Sequence, residues 1–311
     1  MPTWSEVINK LKDPVDTLQD LQKHYLNILC QYTNRTVIAY YSAFLQKPGI
    51  AGEEINDMDK NAFMQMVAGI PKEEREKGLD LILHTPGGDI AAAESLVYYL
   101  RSIFGMDIRV IVPQMAMSAG TMIALSSKEI LMGKESCLGP IDPQFGGVSC
   151  YGVVKEFNQA VEDVRRNPSS AVIWANIISK YHPTFLGDCQ NAIEWGKKIV
   201  TQWLITNMFS TKENREILAN HVVSELSNHE TTFAHNRHIH VAELQELGIN
   251  VKELEKSPKL QKEDCVDLQD CILTLHHIYM QFLASTHVLK IVESKYDSMV
   301  INSNFAGAEH P

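Results

Sequence analysis

Apolar and polar positions change period repeatedly along the chain, and the changes mark the elements. Residues 15 to 31, VDTLQDLQKHYLNILCQ, carry apolar side chains at helical spacing, and the run TVIAYYSAFLQ that follows Thr33 to Thr36 is rich in β-branched and aromatic residues. A helix followed by a strand is expected there. Farther on, Asp57 is expected to N-cap a helix over MDKNAFMQMVAGI. A strand over 79–85, a helix over 90–104, a strand over 107–115, a helix from about 118 and a strand over 128–133 then follow in turn. Strands alternating with helices predict a parallel sheet with right-handed crossovers. The apolar runs at 79–85 and 107–115 predict strands covered on both faces. Beyond 150 the helical period dominates, in 185–228 and 264–296, with VKELEKSPKLQKED at 251–264 read as an exposed linker.

Composition narrows the picture without deciding it. With 311 residues, 45% hydrophobic and 21% charged, the chain can bury a sizeable core. A formal net charge of −10 argues against nucleic acid or an anionic membrane surface as the main partner. The six cysteines, at 30, 137, 150, 189, 265 and 271, contain no Cys-x-x-Cys pair and read as reduced, mostly buried thiols. No window reaches the roughly 18 to 20 apolar residues of a membrane span, and WANIISKYHPTFLGDC is interrupted by Lys180, His182 and Pro183. Met1 to Asp20 lacks the pattern of a secretory signal, so a cytoplasmic location is expected.

Candidate chemistry gathers at the carboxyl ends of the predicted strands, where ligands bind in open α/β sheets. HTPGGDIAAAESL places Gly87 and Gly88 at one such end, directly before a helix. A glycine there brings a backbone N–H up to a ligand with no Cβ in the way, although a tight turn without chemistry would use the same residues. At the next strand end, AMSAGTMIALSS sets Ser118 among Ala116, Ala119 and Gly120 at a helix start, where small neighbours leave its hydroxyl accessible and the helix terminus favours negative charge. An N-cap serine is the plainer reading. A third turn, GPIDPQ, brings Asp142 back toward the same cleft, either to orient a base or to shape an Asp-Pro turn. His84 and His235 are possible supporting residues. The spacing of His229, His235, His238 and His240 matches no metal-binding helix, and neither a metal nor a cofactor is expected.

The blocks HTPGGDIAAAESL, PQMAMSAGTMIALSSKEILMGKESCLGPIDPQ and TTFAHNRHIHVAELQELGINV resemble the ClpP/crotonase superfamily over roughly 35–165 and 230–252. They are most similar to the serine dehydrogenase proteinase branch of the signal peptide peptidase A-like (S49) serine peptidases. The resemblance implies an α/β fold, a ClpP/crotonase-like spiral of βαβ units with additional helices at both ends. It implies a peptidase domain over 35–252, and the segments its motifs do not cover are read from their helical period as an N-terminal helical extension at 1–34, a helical insertion at 166–229 and a C-terminal helical tail at 253–311. It also implies Ser118 as nucleophile, with the N–H groups of Gly88 and Ala119 as oxyanion hole. A ClpP-type triad would need a histidine where Asp142 stands and an aspartate near Asn236, so the resemblance points to a Ser-Lys dyad, with Lys155 of YGVVKEFNQAV as the base. Lys155 flanks the apolar stripe of Val154, Phe157, Val161 and Val164. That leaves open a solvated helix lysine, Lys180, a residue from a neighbouring subunit, or no base. The implied activity is that of a serine endopeptidase acting on cytosolic polypeptides as a homo-oligomer. Peripheral membrane association and an ATPase partner stay open, and a catalytically inactive scaffold or a crotonase-like acyl-CoA enzyme are the alternatives.

Overall fold

Burial on both faces, which the apolar strands require, is met by helices on either side of one seven-stranded sheet. The computed structural model describes residues 17–227, 236–257, 259–262 and 265–302, the side chains of 260–262 and 265–266 apart. The sheet strands are β1 (Thr36–Ser42), β2 (Leu79–His84), β3 (Ile108–Val112), β4 (Glu129–Met132), β5 (Val251–Glu253), β6 (Val288–Ser294) and β7 (Ser298–Asn302), in the order β7-β6-β1-β2-β3-β4-β5. From β1 to β5 every pairing is parallel, whereas β6 pairs antiparallel with both β1 and β7. The fold is the expected mixed α/β one.

Strand alternation sorts the side chains between two cores. Leu79, Leu81 and Leu83 of β2 enter the larger core, under α2 (Asp57–Gly69), α3 (Ile90–Phe104), α4 (Ala119–Leu125), α7 (Phe185–Thr206) and α8 (Arg215–Ser227). Val37, Ala39, Tyr41 and Ile82 face a second core, roofed by α1 (Leu18–Thr33) and α10 (Leu268–Ser285). Helix α5 (Cys150–Arg166) packs against α6 (Ala171–Ile178) and against α7, with which it shares a separate apolar cluster of Cys150, Val153, Cys189, Ala192 and Ile193. Helix α6, AVIWANII, buries none of its residues, and Val172 and Ile173 are 71% and 63% exposed. A short helix, α9 (Val241–Glu246), precedes β5.

Three expectations change. Asn56 rather than Asp57 caps α2, its side chain accepting from the Met58 N–H at 3.0 Å while Asp59 closes a capping box. The stretch expected as a linker contributes β5, which pairs with β4 through Val251 opposite Ile130. The helical period expected to reach 296 stops at Ser285, and the tail then supplies β6, buried at every position. Its Lys290 and Glu293 are both buried beside polar partners.

A charged clasp pins the amino ends of the central strands. Asp80, fully buried on β2, accepts from Arg35 Nε at 2.7 Å and from Arg109 Nε and Nη2 at 2.7 and 2.6 Å. Arg35 also bonds Asp107 and the carbonyls of Leu79 and Asp107. Removing the shared acceptor leaves two largely buried guanidinium groups short of a partner. Asp80→Ala is therefore expected to lower the unfolding free energy by about 3 kcal/mol, as measured by urea denaturation followed by circular dichroism.

Candidate active site

At the carboxyl ends of the parallel strands a second row of short pairings crosses the sheet. Gly88 bridges Ile55, Thr85 bridges Ala116, Met115–Ala116 pairs with Cys137–Leu138, and Leu138 bridges Ile239. The row draws the three sequence blocks into one place.

Both consecutive glycines are required by space as well as by backbone angle. Gly87 has φ +102°, and a Cβ there would lie 2.7 Å from both the Met117 carbonyl oxygen and the Ser118 Cβ. Gly88 has φ +150°, and its Cβ would lie 2.4 Å from the Ile55 nitrogen and oxygen. Ile55 clamps the turn with two bonds, its N–H donating to the Gly87 carbonyl at 2.7 Å and its carbonyl accepting from the Asp89 N–H at 2.9 Å. That pairing turns the N–H of Gly88 away from Ile55. Among the described residues it donates to no other group.

Ser118 stands opposite this turn. Its φ is +51° with ψ −116°, and among the described residues only Asn34 shares a positive φ without being glycine. Such a conformation is disfavoured for a residue with a Cβ and marks a position held by its surroundings. The Ser118 side chain makes no capping bond to α4, so the plain N-cap reading does not describe it. Ala119, the first residue of α4, is fully buried, and its N–H also donates to no group among the described residues. Gly120 is needed as well, since a Cβ there would lie 2.5 Å from the Thr85 Cγ2.

Around Ser118 lies a cleft of about 170 Å³ lined by Gly88, Asp89, Ile90, Met122, Asp142 and Trp195, among others. Asp142 is buried in its wall. Beside it burial pushes the Cys150 thiol up to about 12, with the hydrogen bond and charge of Cys189 and then the Asp142 carboxylate acting in the same sense, so Cys150 is inert as a nucleophile. Lys155 is exposed on α5 and is not among the cleft-lining side chains, and Lys180 is exposed beyond the end of α6. His84 is not in the cleft. As the last residue of β2 it alternates to the other face of the sheet, where it lies fully buried against Tyr41, Phe44 and His276. His229 and His235 lie outside the described residues. His240 contacts the Ser136 carbonyl, and no group of three or more potential metal ligands occurs among the described residues. Sequence reasoning missed Ile55, whose role is carried by backbone alone, and Trp195, a partly exposed tryptophan one turn after Ala192 on α7.

A family model described as a ClpP-like SDH-type serine proteinase matches residues 53–299, a span that runs through α10 and β6. An uncharacterized protein of Methanocaldococcus jannaschii is 37% identical over 122 residues, which are 39% of this chain and 41% of that protein. A second uncharacterized protein of the same organism is 31% identical over 173 residues, 56% of this chain and 51% of its own length. The chain thus matches about half, or less, of the length of these curated relatives. Among the described residues no helix is long and apolar enough to cross a membrane.

The placement of His84 has a measurable consequence. Burial holds its imidazole neutral, with a pKa lowered from 6.5 to about 3. The unfolded chain takes up that proton first as pH falls, so the stability His84 contributes is present above 6.5 and is lost progressively toward 3. Replacement by phenylalanine, which suits a site walled by Tyr41 and Phe44, is expected to flatten that acid-side decline in thermal unfolding. The reactivity of Ser118, on the other face, is expected to stay the same.

Proposed function

The chain belongs to the ClpP-like SDH-type serine proteinase family, and on that premise we propose that it hydrolyses peptide bonds in polypeptides through an acyl-enzyme on Ser118. The observation that carries this reading is the pairing of a serine held at positive φ with a double-glycine turn, Ser118 and Gly88 lining one cleft, while the N–H groups of Gly88 and Ala119 donate to no group among the described residues. The Ser118 Oγ attacks the scissile carbonyl carbon as its proton passes to a base. The carbonyl oxygen, now negative, accepts from the N–H groups of Gly88 and Ala119. Donors fixed in advance for such an oxyanion are each worth about 3 to 4 kcal/mol of barrier. The protonated base then gives its proton to the leaving amine, and water, deprotonated by the same base, releases the acyl group.

For the base we propose Lys155, in a Ser-Lys dyad. Support comes from its position on α5, the helix that follows directly on the 144–149 hairpin, whose Gln144 and Phe145 line the cleft, and that packs against α7, which lends Ala192 and Trp195 to the same lining. A second reading takes the base from a neighbouring copy. It is favoured by the absence of any lysine or histidine from the cleft lining among the described residues and by the apolar helix α6, none of whose residues is buried, which suits a homo-oligomer. The substrate in either case is a cytoplasmic polypeptide presenting an extended backbone, and no cofactor takes part.

The test is peptide release from unfolded-protein and peptide mixtures, read by mass spectrometry at equal oligomeric state. Ser118→Ala is expected to lower cleavage at least about a thousandfold. Cleavage that survives this change removes the acyl-enzyme reading. Lys155→Ala is expected to lower kcat about as far, with little change in KM, and retention of kcat would move the base to a second copy.

A further inference from the structure

The polar groups under the double-glycine turn form a continuous buried network that the mechanism above does not use. Lys290, on β6, is fully buried and lies 2.6 Å from Asp59 Oδ1, at the start of α2. Its ammonium also donates to the Glu54 carbonyl at 2.9 Å. Asp59 Oδ2 accepts from the Asn56 N–H at 2.9 Å and from the Tyr40 hydroxyl at 3.1 Å. The Thr85 hydroxyl adjoins the Tyr40 phenol and accepts from the Gly87 N–H at 3.2 Å. Ser42 adds a bond to the Glu53 carbonyl at 2.6 Å. Four of these contacts, from Lys290, Asp59, Ser42 and Thr85, end on the 53–56 segment or on the glycine turn itself, and Ile55, within that segment, holds Gly87 and Asp89.

A buried lysine–aspartate pair is weak evidence for stability, because desolvation of the two charges offsets most of their attraction. Positioning accounts for it better. From β6 the network reaches the oxyanion turn along two arms, through Glu54 to Ile55 and through Asp59, Tyr40 and Thr85 to Gly87. We infer that Lys290 is a positioning residue for the oxyanion hole, its contacts with Asp59 and Glu54 fixing the Ile55 clamp and so the direction of the Gly88 N–H. The catalytic part of this inference rests on the reading of Gly88 as an oxyanion donor. The mechanical part does not.

Hydrogen exchange on the full chain, read by mass spectrometry, separates the two. Lys290→Met is expected to speed exchange of the 53–56 and 87–89 amides tenfold or more while β2 and β3 keep their protection. In parallel, phosphonylation of Ser118 by a fluorophosphonate probe is expected to slow by roughly ten- to hundredfold, the effect of a small misplacement of the oxyanion donors. Tyr40→Phe, which cuts one arm without stranding a charge, is expected to speed exchange at 87–89 alone and to slow labelling by a smaller factor. Unchanged exchange at 53–56 and 87–89 in folded Lys290→Met overturns the inference, as does acceleration spread evenly over the sheet in both variants, which would make the pair an ordinary core contact. Should Lys290→Met fail to fold, Tyr40→Phe decides on the same criterion at 87–89. A wild-type chain that the probe leaves unlabelled counts against the peptidase reading, and the exchange pattern still decides the anchoring.

Discussion

Two backbones pass so close together at the carboxyl ends of the strands that no side chain fits between them, and the site is arranged around that approach. Gly87 lies against the Met117–Ser118 peptide and Gly88 against Ile55, each at a distance a Cβ would violate by more than half an ångström relative to ordinary contact. Because the gap is closed by main chain on both sides, the Gly88 N–H has a fixed direction and Ser118 is held at a positive φ that its own preferences oppose. The steric constraint and the chemistry are the same arrangement seen from two sides.

The sheet separates the cleft from a second, buried cluster of polar groups. On its first face lie α2, α3, α4, α7 and the cleft. On the second, α1 and α10 bury a cluster of aromatic and titratable groups in which Tyr279 donates to Glu293 and burial raises the Glu293 pKa to about 7. His84 shows how narrow the division is. It stands one residue before Thr85, whose hydroxyl touches the glycine turn, yet strand alternation sends its ring to the opposite core.

The stretch from 79 to 133 was legible in the sequence because periodicity, turn chemistry and length agreed there, and the helix over 90–104 lies where its pattern put it. Ser118 and the glycines stood out as small residues at strand ends. The end of the sheet was not legible. HVLKIVES carries a lysine and a glutamate inside a strand buried at all positions, and charges at those places read as solvent-facing until their partners, Asp59 and Tyr279, are known. The face on which His84 falls could not be read either, since one strand's alternation does not say which of its sides a cleft will occupy. Ile55 left no trace at all, because any residue but proline can offer the backbone N–H and carbonyl it uses.

Strand β6 sits between β1 and β7 in the sheet, yet Lys290 follows Glu54 by 236 positions along the chain. During synthesis β1, the helices of the first face and the double-glycine turn all leave the ribosome well before the strand that completes their sheet. A domain with such long-range pairing folds late and slowly. If Lys290 sets the oxyanion turn, a partly made chain carries its serine and glycines in an unset geometry. The order of translation then acts as a safety catch, and a nascent copy does not become a protease among other unfinished chains until its sheet is closed.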